Sequence, residues 1–310
     1  MEIFANGAWL PLAFASLMGL AMLVYAVLDG YDLGVGILLG GGNEEEKDRM
    51  VGSIGPFWDA NETWLVLGVG ILLTAFPKAH GIILSALYLP VAFMLIGLIL
   101  RGVAFDFRAK AKTHHKSTWN RMFWFGSTLA AFSQGYMLGG YILGFEKSWP
   151  AFGFALLAGF SFIAGYSLIG ACWLILKTEG ALQLKAINWA QRALYGTMLG
   201  IGLISIATPL VSERIFQKWF SFPNIVLLAP IPVITAALAL VLGLLLRRLP
   251  RPGDRWNWTP FALTLGIFAL CFHGLAYSFY PYIVPDRLTI ADAASAPESL
   301  MIILAGALVV

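Results

Sequence analysis

An all-α polytopic membrane protein of about nine transmembrane helices is the fold class this sequence predicts, and three observations predict it. Hydrophobic residues make up 59% of the 310 positions and charged residues only 12%, where soluble domains run near 45–50% and about 25%. Mean hydropathy is +0.79. Charge-free runs of the roughly 20 residues a helix needs to cross a hydrocarbon core recur along the whole chain, so residues 1–310 read as a single transmembrane domain of packed helical bundles. The net charge of +3 is too small to point to nucleic acid.

The runs at 3–28, 79–100, 122–145, 151–176, 193–212, 219–246 and 256–285 give seven spans. Glu2 stands where a secretory signal carries lysine or arginine, so the first run reads as a retained span. The second span in chain order is the unusual one. Only fifteen uncharged residues separate Glu62 from Lys78, about five short of a crossing, so the helix must reach back past Glu62. Counting about twenty residues from Pro77 arrives at Trp58 and Asp59, which puts Asp59 and Glu62 one to two turns inside a helix mouth. Ser299 to Val310 begins a ninth helix that is incomplete after twelve residues, and further residues are expected after it. Pro90, and Pro223, Pro230 and Pro232, are expected to bend the third and seventh spans.

Assigned to alternate sides, fifteen of the 20 lysines and arginines fall in the first, third, fifth and seventh connections and five in the others. The positive-inside rule makes the first set cytoplasmic and the amino terminus external. Asp59 and Glu62 then face the cytoplasmic mouth. Asp29 and Asp32 lie at the same level, where the first span ends. Glu44 to Glu46, with Lys47, Asp48 and Arg49, read as a solvated loop.

A carboxylate at membrane depth costs roughly 2.5–3.5 kcal/mol by insertion scales and is a functional-site candidate. Asp29 and Asp32 are three apart, as are Asp59 and Glu62, so each pair shares a helical face. Desolvation and like-charge neighbours favour protonation of a carboxyl, which suits a path that takes up and passes protons, with Trp58 and Trp64 as its walls. The same residues also fit a plainer account: Asp59 capping the second helix, Glu62 closing a capping box, Asp29 and Asp32 interfacial. Gly30, Gly34 and Gly36 would let a neighbouring helix approach. In Arg101 to Arg108, an ion pair of Asp106 with Arg101 or Arg108 is the expected structural role. Of four histidines only His273 lies deep in a span, too little for a haem-ligand pair. Cys172 and Cys271 lack CxxC spacing, and neither a metal site nor a catalytic constellation is visible.

Leu28-Asp29-Gly30-Tyr31-Asp32-Leu33-Gly34-Val35-Gly36, then Gly55-Pro56-Phe57-Trp58-Asp59-Ala60-Asn61-Glu62-Thr63-Trp64-Leu65, then Arg101-Gly102-Val103-Ala104-Phe105-Asp106-Phe107-Arg108, resemble subunit II of the cytochrome bd-type quinol oxidases. The resemblance covers essentially the whole chain. It implies a respiratory oxidoreductase of the bacterial inner membrane that oxidises quinol and reduces dioxygen to water, electrogenic without pumping. It also implies a partner, subunit I, holding haem b and haem d (or b only), besides lipid, quinone and possible small single-helix subunits. Asp59 stands where the family's aspartate helps bring in cytoplasmic protons. At the position of Glu62 other members can carry an uncharged amide, and Trp64 would border an oxygen route. Two other classes stay open: a stand-alone proton-coupled permease using the same acids, and a purely structural partner whose acids are caps. The oxidase reading expects slower oxygen reduction for Asp59→Asn and a smaller loss for Glu62→Gln.

Overall fold

The computed structural model describes residues 9–111, 113–250 and 255–309. The start of the first expected span, Lys112, Arg251 and Val310 therefore lie outside the described residues. The chain is helical from end to end: α1 (Leu10–Leu38), α2 (Glu44–Ile54), α3 (Trp58–Ala75), α4 (Pro77–Lys110), α5 (Thr113–Ile142), α6 (Trp149–Lys177) and α7 (Gly180–Val211) come first. Then follow α8 (Glu213–Phe220), α9 (Asn224–Leu228), α10 (Pro230–Leu246) and α11 (Thr259–Phe279), a small antiparallel hairpin of β1 (Tyr282–Val284) and β2 (Leu288–Thr289), α12 (Ile290–Ala293) and α13 (Pro297–Val309).

Proline marks where many helices begin. α1, α4, α6, α10 and α11 each carry one in the first turn, where the missing N–H costs nothing because that donor has no intrahelical partner. Inside α4, Pro90 has the opposite effect: Leu87, three residues earlier, leaves helical geometry at φ −109°, ψ 15°, as a missing donor and a ring clash with the preceding turn require. Six helices are long and apolar enough to cross a membrane among the described residues: those beginning at Leu10, Pro77, Trp149, Gly180, Asn224 and Thr259. The 18-residue α3 and the 30-residue α5 carry more polar groups and lie alongside them in the bundle.

Several expectations change. The first helix runs to Leu38 rather than ending at residue 28, so Asp29 and Asp32 are inside it and fully buried, not interfacial. The charged stretch after it is no loop but α2. Asn43 caps it, accepting from the Glu46 amide at 2.9 Å while Glu46 accepts from the Asn43 amide at 2.8 Å, a reciprocal capping box. The expected seventh span begins at Asn224 rather than residue 219 and runs to Leu246, with α9 passing into α10 at Ala229 and Pro230, and Glu213–Phe220 forms the separate α8 before it. The eighth stops at Phe279, because Tyr280 turns extended before Pro281, the conformation a following proline favours. The second expected span, α3, starts at Trp58, where the length argument placed it.

α1 is the central element, packed against α3, α5 and α6. All eight residues from Asp29 to Gly36 are buried, so this stretch is enclosed on every side. The closest approach is to α6. A Cβ built on Gly34 would fall 1.8 Å from the Tyr166 carbonyl oxygen, and one on Gly170 2.5 Å from the Gly34 carbonyl carbon, so the two backbones touch through glycine as small-residue crossings in membranes do. Gly30 and Gly36 likewise face Tyr166 and Ser127. By contrast, α3 and α4 present Val66, Leu73, Tyr88, Phe93 and Ile99 outward. The hairpin, Ala293 and Leu300 pack on the start of α1 and the end of α3, around Leu10, Phe14, Ile71, Ala75 and Phe76. There Ser295 donates from its amide to the Ala75 carbonyl and from its hydroxyl to the Thr74 carbonyl, both at 2.8 Å, supplying partners for carbonyls at a helix end.

Candidate functional site: a buried carboxylate–arginine cluster

Helical spacing aligns the polar groups of α1. Tyr25, Asp29 and Asp32 are separated by four and three residues and share a face, and that face meets α3 and α4. Arg101, at 1% exposure, reaches from α4 to both neighbours. One guanidinium nitrogen, Nη2, lies 2.7 Å from Asp29 Oδ1 on α1 and also donates to Glu62 Oε1 on α3. The Asp29 side chain is wholly enclosed, whereas that of Glu62 is 27% exposed. Beside them Asn61 Nδ2 donates to Asp32 Oδ2 at 2.8 Å and to the Tyr31 hydroxyl at 2.9 Å. The Trp58 ring lies beneath the guanidinium, 5.8 Å from centroid to Cζ, and packs on Phe105 at 4.9 Å.

Two sequence expectations fail here. Asp106 is exposed and forms no ion pair among the described residues. It is five residues from Arg101 and two from Arg108, off the face of both, where three- or four-residue spacing is needed. Arg108 instead pairs with Asp48 of α2 at 2.7 Å and donates through Nε to Asn120 at 2.6 Å. Nor is Asp59 the cap of α3: the capping position is Phe57, without a side-chain bond, and Asp59 lies exposed in the first turn. Trp64 is half-buried, without a polar or ring contact to the cluster. His273 faces outward from α11, with Nδ1 2.7 Å from the Ala269 carbonyl oxygen.

The cluster holds three carboxyls, Asp29, Asp32 and Glu62, against one guanidinium. Burial of unmatched negative charge is expensive, and protons are the smallest species that reduce the imbalance. Unpartnered acceptor capacity exists for one at Asp32 Oδ1. The arrangement opens only at Glu62, and one turn further out stands exposed Asp59.

A family model for cytochrome bd terminal oxidase subunit II matches residues 10–310. The chain belongs to that family. Subunit 2 of the cytochrome bd ubiquinol oxidase of Bacillus subtilis is 28% identical over 301 residues, 91% of this chain and 85% of that protein. Subunit 2 of the cytochrome bd-I ubiquinol oxidase of Escherichia coli is 28% identical over 333 residues, 92% and 86%. In fold, the chain superposes on the bd oxidase of Geobacillus thermodenitrificans with a TM-score of 0.78 at 19% identity, covering 97% of this chain and 94% of that one. As a bd oxidase subunit II it is a multi-pass membrane component of a respiratory oxidoreductase complex, which displaces the stand-alone permease.

The cluster also extends to residues the sequence reading passed over. Tyr166 on α6 donates its hydroxyl proton to Gln134 Oε1 on α5 at 2.6 Å, and Gln134 Nε2 donates to the Tyr25 hydroxyl on α1 at 2.7 Å. A search for charge skips neutral polar side chains; the four-residue step from Tyr25 to Asp29 was the available signal.

Proposed function

We propose that this chain pairs with a haem-bearing subunit I in a quinol-oxidising, dioxygen-reducing oxidase and supplies its route for cytoplasmic protons. In this reading the haems, b and d or b alone, sit in subunit I and supply the oxygen chemistry when bound. The amino terminus faces the periplasm, and quinol, lipid and any small single-helix subunits bind elsewhere in the complex. Charge separation follows from taking protons inside and releasing quinol protons outside, without pumping.

The observation that carries the reading is the one-sided opening of the cluster. Asp59, exposed at the first turn of α3, is the outermost carboxyl of this route. Glu62, one turn on and partly exposed, holds the incoming proton against Arg101, and Arg101 ties that position to the enclosed Asp29. Asp32 and Asn61 stand beside this step as further proton-holding and hydrogen-bonding groups.

Geometry changes the ranking of the variants. Glu62 is the carboxyl in direct contact with Arg101, so Glu62→Gln is expected to slow oxygen reduction by about tenfold, at least as much as Asp59→Asn. Both are measured as oxygen consumption by the assembled oxidase with its haem spectrum intact. Wild-type turnover in the two variants would overturn the proton role.

A further inference from the structure

The α8 helix lies at the end of the bundle opposite α2. Lys185, near the start of α7, pairs with Glu46 of α2, and α7 runs on to Val211, roughly 39 Å away at 1.5 Å per residue. α8 then packs on the end of α11. Its Ile215 is buried and Trp219 Nε1 donates to the Ser278 hydroxyl at 2.8 Å, while Phe216 and Phe220, with rings 5.0 Å apart, are exposed. A short helix with exposed aromatic rings and a basic face, at the end of a membrane-spanning bundle, lies in the plane of the headgroups.

The two cations of α8, Arg214 and Lys218, are four residues apart and share a face, yet they are unequally matched. Arg214 pairs with Asp286 and donates to the Ser278 carbonyl at 2.9 Å. Lys218 donates to the Tyr280 carbonyl, and its ammonium lies 5.0 Å from the Tyr277 ring centroid and 5.8 Å from that of Tyr280. Among the described residues no carboxylate forms an ion pair with it. A snorkelling lysine extends its head into bulk water; Lys218 is half-buried, drawn back over two rings. One carbonyl and two rings fix the charge and leave two of its three N–H donors to a partner from outside the chain. Tyr277 leads from that charge toward the hydrocarbon. Its hydroxyl donates to Asn224 Oδ1 at 2.8 Å, and directly after Asn224, along the first turns of a membrane-spanning helix, an apolar groove of about 500 Å³ is lined by Ile225, Val226, Ala229, Pro230 and Val233.

We propose that Lys218 and the groove from Ile225 to Val233 bind one anionic phospholipid, its phosphate on the ammonium and an acyl chain along the groove. A zwitterionic headgroup brings its own cation and would leave the charge of Lys218 unmatched, whereas an anionic one matches it. Free phosphate would leave the groove unfilled. This site stands whether or not Asp59 and Glu62 carry protons.

Native mass spectrometry of the assembled oxidase, stripped of lipid and titrated with phosphatidylglycerol or with phosphatidylcholine of the same chains, tests it. At limiting lipid, wild type is expected to bind one more phosphatidylglycerol than Lys218→Gln, and no more phosphatidylcholine. Lys218→Gln keeps a donor for the Tyr280 carbonyl and should weaken the site about tenfold, the scale of a lost hydrogen bond to a charged group. Lys218→Arg should keep it. Val233 is 66% exposed, so Val233→Trp fills the groove from outside and should weaken the same site with the charge in place; it decides the matter should Lys218→Gln not assemble. An excess of inorganic phosphate should leave the lipid bound. Wild-type affinity for phosphatidylglycerol in Lys218→Gln or in Val233→Trp, an equal gain of phosphatidylcholine, or displacement by inorganic phosphate alone overturns the assignment.

Discussion

Two carboxylate–guanidinium pairs that join different helices, Arg101–Asp29 and Arg108–Asp48, share a 2.7 Å contact and have opposite surroundings. Arg101 meets Asp29 at 1% and 0% side-chain exposure, whereas Arg108 meets Asp48 at 6% and 48%. Around the second pair, α2 adds Glu46 to Lys185 at 2.7 Å and Asp48 to Lys116 at 3.3 Å, tying α2 to α4, α5 and α7 at the polar rim. At the rim, Asp48 falls back into water when Arg108 is removed; the carboxylates that face Arg101 lie in or beside an enclosed cluster. Identical chemistry therefore fastens helices in one place and stores charge in the other.

The comparison breaks most visibly in the arginines. Arg101→Met strands two carboxylates and is expected to cost about 3–5 kcal/mol, enough to keep the complex from accumulating. Arg108→Met returns Asp48 to solvent and leaves Asn120 short of a partner, for about 1–2 kcal/mol. Thermal melting and haem content of the purified oxidase measure both, and equal losses would dissolve the distinction. A swap sharpens it: Asp48→Arg with Arg108→Asp should retain assembly. Asp29→Arg with Arg101→Asp should not, since Glu62 would then face a new acid. Next in size is acid sensitivity at the rim. The hydrogen bond from Lys185 holds Glu46, and that from Lys47 holds Glu44, below the usual value of 4.5. Groups with depressed folded values stabilise above the unfolded value and lose that contribution as pH falls through the folded one. The melting temperature should therefore decline below about pH 4.5 in wild type and less so in Lys185→Met. Salt should have the smallest effect, loosening Glu46–Lys185 as the Debye length falls to about 3 Å at 1 M and leaving the Asp29–Arg101 contact unchanged.

The part of this arrangement that sequence could show is the part that depends on local spacing and length. Fifteen residues are too few to cross, which placed the start of α3 at Trp58, and three-residue spacing put Asp29 with Asp32. The same rule, applied to Asp106, excludes the pair expected for it. The partner of Arg101 is out of reach of such rules, because Glu62 is 39 positions away and nothing along the chain announces which helix will face which. The length of α1 was missed for a related reason. Counting charge-free residues stops a span at its first acid, yet an acid matched by an arginine from another helix lets the span continue. Neutral Gln134 and Tyr166 lie on helices other than Tyr25's, so only the assembled bundle brings the three together.

The tie from Ser295 to the end of α3 bears on how the protein is made. The residues it joins, Thr74 and Ser295, are 221 positions apart, so at 5–20 residues per second the helix carrying Glu62 waits roughly 10–45 s of synthesis for its final partner. During that interval the Thr74 and Ala75 carbonyls at the end of α3 are without this donor, and a ribosome that stalls late leaves a nascent chain in which the tie has not formed.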